Sequence, residues 1–153
     1  MRELSWFLAA LATGVAAYGT DGQAARFVAQ LKLDAGHTLV VAEGDGEARS
    51  TGSYAVRLYS SQSAQAGDDT TFYVSGLIEP RDGAIECSLL DDLDGDGKPE
   101  LVVIVRSVGT GQYLSAQAFS CAGDKVKRVR AVADLPKTAD PLVSLRQAWP
   151  LRP

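Results

Sequence analysis

Phe27, Ala29, Leu31 and Leu33 alternate with Arg26, Val28, Gln30 and Lys32, and after Asp34-Ala35-Gly36 the chain resumes with the apolar run Leu39-Val40-Val41-Ala42. A period of two marks a strand with one buried face, so these two segments predict a hairpin. The pattern returns at Tyr54, Val56 and Leu58, which alternate with Ala55, Arg57 and Tyr59. It returns again at Phe72, Val74 and Ile78, beyond a polar loop from Ser60 to Thr70, and at Ile85, Cys87 and Leu89. Leu101 to Val105 is apolar at every position, as a central strand covered from two sides would be. Leu114, Ala116 and Ala118 face opposite Tyr113, Gln117 and Phe119, and Val126 to Val132 forms a last run whose imperfect alternation predicts a bulge. About eight short strands with almost no helical periodicity predict an all-β fold, an antiparallel β-sandwich. One short helix over Leu142 to Trp149 is expected at the end, because Asp140 and Pro141 supply an N-cap and a first-turn proline and Pro150 a stop.

The first residues do not fit this pattern. Met1-Arg2-Glu3 precedes an apolar run from Trp6 to Ala17, followed by small residues spaced for a signal peptidase at Val15 and Ala17 or at Ala17 and Gly19. That is the layout of a secretory leader, although an amphipathic first helix is the plainer alternative. Residues 1–19 are thus expected to be a cleaved signal peptide and residues 20–153 a single domain in the periplasm. No apolar stretch is long enough to span a bilayer, so no membrane role is expected. Export also bears on Cys87 and Cys121. A disulfide between them would close a loop of about 35 residues, worth roughly 3 to 4 kcal/mol in the chain-entropy model. Two buried free thiols are the other option.

Fifteen Lys plus Arg against nineteen Asp plus Glu leave a net charge of −4, and the leader's single Arg and Glu cancel, so the acidity belongs to the folded part. That sign disfavours nucleic acid and suits a basic protein partner. With one His and two Cys, a His-rich metal centre or a zinc site of Cys ligands cannot be assembled. His37 has no identifiable nucleophile beside it, and no nucleophile elbow or phosphate-binding loop is present. An enzyme is not expected. The basic run Lys125, Lys127, Arg128 and Arg130 reads as a solvated strand face.

Three segments hold candidate chemistry. In Asp92-Leu93-Asp94-Gly95-Asp96-Gly97-Lys98-Pro99-Glu100, carboxylates at relative positions 1, 3, 5 and 9 with a Gly at 6 resemble an oxygen-rich calcium loop of the kind in integrin-type propeller repeats. Val103 stands where an EF-hand needs its bidentate Glu, and an acidic β-turn without metal gives the same sequence. The second segment, Arg106-Ser107-Val108-Gly109-Thr110-Gly111-Gln112-Tyr113, joins two strong strands by a loop longer than a minimal turn. It offers a hydroxyl at Thr110 and an aromatic with a polar tip at Tyr113. In the third, Thr51 to Tyr59, Tyr54 and Tyr59 point to opposite faces, and Arg57 is either solvated or orders a neighbouring acidic loop.

The order and spacing of four stretches resemble the periplasmic inhibitors of invertebrate-type (I-type) lysozyme found in Gram-negative bacteria. They are Leu39-Val40-Val41-Ala42-Glu43-Gly44-Asp45; Gly52-Ser53-Tyr54 with Arg57-Leu58-Tyr59; Asp92-Leu93-Asp94-Gly95-Asp96-Gly97 with Pro99-Glu100; and Arg106-Ser107-Val108-Gly109 running into Tyr113-Leu114-Ser115-Ala116. The resemblance implies a β-sandwich, often a homodimer, whose protruding loop enters the substrate groove of a lysozyme. It also implies contacts from a loop Ser and a Tyr three residues later, positions held here by Thr110 and Tyr113. Thr replaces the Ser, and Gln112 stands where a Gly is expected. Ser107, Gly109, Gly111 and Arg106 fall at the loop's base and bends. No cofactor is required on this view. A calcium-dependent adhesion module centred on Asp92, Asp94, Asp96 and Glu100 is the competing expectation. The resemblance lends no support to a Cys87–Cys121 bridge.

Overall fold

The computed structural model describes residues 25–61, 67 and 69–149, so the expected leader and part of the polar loop before Phe72 lie outside the described residues. Eight strands follow in chain order: β1 Val28–Lys32, β2 His37–Glu43, β3 Gly52–Ser60, β4 Phe72–Arg81, β5 Ala84–Asp91, β6 Glu100–Arg106, β7 Leu114–Ser120 and β8 Lys127–Leu135. They form two antiparallel sheets of four, ordered β1-β2-β3-β4 and β5-β6-β7-β8. Within each sheet every strand pairs with its neighbours in sequence, so both sheets are plain meanders. The hairpin expected from the first two runs is present, with Leu31 opposite Leu39. The bulge expected in the last strand appears as a register shift between Ala118 and Phe119 of β7 against β8.

The inward residues of the alternating runs meet between the sheets. Leu31, Leu39, Val41, Tyr54, Val56 and Leu58 pack against Ile85, Leu101, Val103, Val105 and Phe119. The Tyr54 ring meets Phe119 edge-on, and its hydroxyl donates to Gln117 Oε1 at 2.6 Å, which satisfies the one polar atom such a ring brings inside. The second sheet is buried on its other face as well. Val102, Ile104, Leu114, Ala116 and Ala118 pack with Leu93 and with Leu145 of the helix α1, Pro141–Ala148. Every residue of β6 except Arg106 is therefore buried, which accounts for its apolar run on both faces. Asp140 caps α1, accepting the N–H groups of Leu142 and Val143. Among the described residues no helix is long and apolar enough to cross a membrane.

The expected Cys87–Cys121 disulfide does not form: both thiols are free. Cys87 lies on β5 against the helix-side cluster, whereas Cys121 follows β7 and packs against the core between the sheets. Strand β6 separates them, which sets the two about 10 Å apart across the sheet, and Cys121 lies several residues further along than Ala116, the residue level with Cys87. A disulfide needs Cα atoms within about 7 Å, so this spacing forbids one. Burial pushes the Cys121 thiol up to about 11, reinforced by the nearby Glu100 charge, and burial also raises Cys87. Both thiols are thereby held further from the reactive thiolate than a solvated cysteine is.

Candidate functional site

Strand β6 ends at Arg106 and β7 begins at Leu114, and the chain between them projects from the end of the sandwich. Two backbone hydrogen bonds shape it. At its base the Ser107 N–H donates to the Tyr113 carbonyl at 2.9 Å, and at its tip the Gln112 N–H donates to the Gly109 carbonyl at 3.1 Å, so Thr110 and Gly111 occupy the corners of a turn. Gln112 closes that turn with φ +46°, the left-handed region in which a glycine costs least. At Gly111 a Cβ would fall against the edge of the Tyr113 ring, so the ring as placed lies over bare backbone. Thr110 is exposed, and Tyr113 and Val108 remain 53% and 61% exposed, large apolar surface held out to solvent. The Arg106 guanidinium grips Glu86 on β5 with two bonds of 2.6 and 2.9 Å and reaches the Gln112 carbonyl at 3.3 Å. Ser107, Gly109, Thr110, Gly111 and Tyr113 thus share one hydrogen-bonded loop, with Arg106 at its foot.

Beneath the loop is a charged network that the strand pattern does not reveal. Arg81, 5% exposed, donates to the carbonyls of Ser53, Arg49, Ala48 and Gly83. It lies 3.8 Å from Glu43 and 3.6 Å from Glu47. Glu43, 4% exposed, accepts the N–H groups of Phe27 and Ile85, tying the first sheet to the second. Glu47 accepts both the N–H and the hydroxyl of Ser53, which hold its carboxyl below the usual range. The arginine that orders an acidic loop is therefore Arg81; Arg57 is exposed on β3. The available signal was a charged residue ending a strand immediately before Asp82-Gly83.

The acidic segment lies at the opposite end of β6, about 20 Å away for a strand of this length. Carboxylate oxygens of Asp92, Asp94 and Glu100 lie within 4.8 Å of one another, and Asp96 stands outside that group. Asp92 accepts the N–H groups of Gly95, Asp96 and Gly97, Asp94 accepts that of Asp96, and Asp96 accepts that of Lys98. Glu100 is buried and accepts the Leu93 N–H at 2.9 Å. Burial pushes its carboxyl up, against the pull of that bond, and the charges of Asp94, Asp96 and Asp92 push the same way as burial. Three converging oxygens are a donor set for a hard cation, though short of the six or more ligands calcium prefers. At this same end His37 lies between Asp34 and Asp124, bracing the first turn against the segment after β7. Lys125, Lys127 and Arg128 of the basic run are exposed, as a solvated face would be, although Arg128 also pairs with Glu79 of β4 and the half-buried Arg130 lies over the Trp149 ring.

A rigid sandwich holding out a braced loop with an aromatic, a hydroxyl and exposed apolar surface is the build of a protein-binding module. The model of a family described as periplasmic lysozyme inhibitor of I-type lysozyme, PliI, matches residues 25–149, and the chain belongs to that family. The crystal structure of PliI-Ah from Aeromonas hydrophila is 42% identical, with a TM-score of 0.72 over 78% of this chain and 98% of that one. Aeromonas hydrophila PliI in complex with Meretrix lusoria lysozyme is 41% identical, with a TM-score of 0.70 over 78% of this chain and 95% of that one. Among curated proteins nothing matches. The family's role is periplasmic and non-enzymatic: it inhibits by binding.

Proposed function

We propose that this inhibitor acts by inserting the loop 107–113 into the active-site cleft of an I-type lysozyme. A glycosidase cleft presents two carboxyl groups flanking the scissile bond, one as acid and one as nucleophile or base. The Thr110 hydroxyl and the Tyr113 phenol are donors at the loop's exposed surface, suited to engage both carboxyls and occupy the sugar subsite. Gly109 and Gly111 keep the loop thin enough to reach the cleft floor, and Ser107 and Arg106 hold its foot. The net charge of −4 speeds encounter with a cationic lysozyme, an effect that weakens with salt. The observation that carries this reading is the loop's build, a braced turn that leaves Tyr113 half exposed over bare Gly111 backbone. The Thr110→Ala/Tyr113→Ala double variant should fold normally and lose inhibition of I-type lysozyme in a cell-wall lysis titration; full inhibition by it would move the site elsewhere.

The acidic loop gives the second reading its one supporting observation, the convergence of Asp92, Asp94 and Glu100. Calcium bound there would brace the far end of the sandwich, with Asp96 as an outer acid, and inhibition would not depend on it. A homodimer would use β4, an edge strand on which Phe72, Tyr73 and Ile78 stand exposed. Removal of residues 1–19 on export would leave 20–153 as the mature domain.

A further inference from the structure

The direction of the loop is set from below, by residues outside it. Gly83 lies in the turn between β4 and β5 with φ +124°, and a Cβ there would fall 2.1 Å from the Arg106 carbonyl oxygen and 2.9 Å from Ser107 Cα. The turn's backbone is therefore pressed against the two residues from which the loop springs. Arg81 locks that turn by donating to the Gly83 carbonyl, while its other donors hold residues 48, 49 and 53 of the neighbouring loop and strand. Glu43 and Glu47 compensate its buried charge, so the guanidinium has no reason to leave. From the side, Glu86 clamps Arg106 with two bonds, and the third arm of that guanidinium holds the Gln112 carbonyl within the loop itself.

We infer that Arg81, Gly83 and Glu86 are positioning residues for lysozyme inhibition: Arg81 and Gly83 form a shelf under the loop's foot, and Glu86 straps its two legs together through Arg106. The inference rests on the reading of 107–113 as the lysozyme-binding element. A loop closed by only two backbone bonds remains free to swing, and ordering it on binding costs affinity. The shelf and the strap meet that cost during folding. Their effect passes through where Thr110 and Tyr113 point.

The test uses the full mature chain and an I-type lysozyme, with Kd from calorimetry and a thermal melt for every variant. Glu86 makes a surface pair, so Glu86→Ala should melt near the wild type yet raise Kd about tenfold through loss of preorganisation. Glu86→Gln, which keeps one acceptor for Arg106, should recover part of the loss. Gly83→Ala should weaken binding further, and if it fails to fold, Glu86→Ala still decides the matter. In a Tyr113→Ala background, Glu86→Ala should have a smaller effect, because one of the two side chains that the positioning residue aims is gone. Folded Glu86→Ala and Gly83→Ala proteins with wild-type Kd would overturn the positioning role while leaving the loop site standing. An undiminished effect of Glu86→Ala in the Tyr113→Ala background would overturn it too. Inhibition that survives Thr110→Ala/Tyr113→Ala would overturn the loop site, and the positioning role with it.

Discussion

Tyr113 can be taken apart in two steps, because its ring and its hydroxyl serve different purposes. An aromatic side chain buries roughly 150 to 250 Å², and Tyr113 is 53% exposed, so about 100 Å² remains for a partner to cover. At about 25 cal/mol per Å² the ring supplies about 2.5 kcal/mol. A hydrogen bond from the phenol to a carboxylate adds roughly 1.5 to 3 kcal/mol. Tyr113→Phe should therefore raise Kd by one to two decades, and Tyr113→Ala by about three to four. Neither should disturb folding by more than about 0.5 kcal/mol, since the side chain belongs to neither apolar cluster. The assay is a calorimetric titration into I-type lysozyme, paired with the cell-wall lysis assay and a urea melt of each variant. If Phe and Ala weaken binding equally, the ring contributes nothing and the area argument fails. If Ala binds as the wild type does, Tyr113 is not at the interface.

Three further outcomes follow from the same geometry. Gln112→Gly should change stability by less than about 0.5 kcal/mol, relief of the left-handed φ being offset by backbone entropy, whereas Gln112→Val should lose about 1 to 2 kcal/mol in a urea melt. Glu100 has its folded-state pKa raised, so its favourable neutral form is present below the ordinary carboxylate pKa and is lost as pH rises through the folded value. Glu100→Gln in chelator should therefore melt close to the wild type near pH 4 and above it at pH 7, and chelator should leave lysozyme inhibition unchanged. Dithiothreitol should not move the melting temperature, because the two thiols are separated by β6; a drop would mean a bridge exists.

Much of this architecture could be read from alternation alone. Leu101 to Val105 announced a strand covered twice, and the two covers are the first sheet on one side and Leu145 of α1 on the other. Local patterns do not encode which strand lies between two others, so the placement of β6 between Cys87 and Cys121 was invisible and export chemistry suggested a bridge. Arg81 went unnoticed for a related reason: its acceptors at 48, 49 and 53 are some thirty positions earlier in the chain, and nothing near Pro80 hints at them. Asp92 to Glu100 was conspicuous because its hydrogen bonds close within a few residues. Thr110 and Tyr113 were candidates from the loop's own residues, but a glycine hairpin ending in a tyrosine is by itself an ordinary turn, and only the family resemblance attached a lysozyme contact to them.

The two ends of β6 carry different equipment: a neutral aromatic finger at one and a cage of carboxylates at the other. A fluorophore, a biotin or a resin linker placed at Lys98 would sit on the carboxylate end, with the length of a strand between it and the loop we propose as the lysozyme-binding element. On that proposal the molecule should serve as an oriented capture reagent, immobilised by its back with the 107–113 loop left unobstructed.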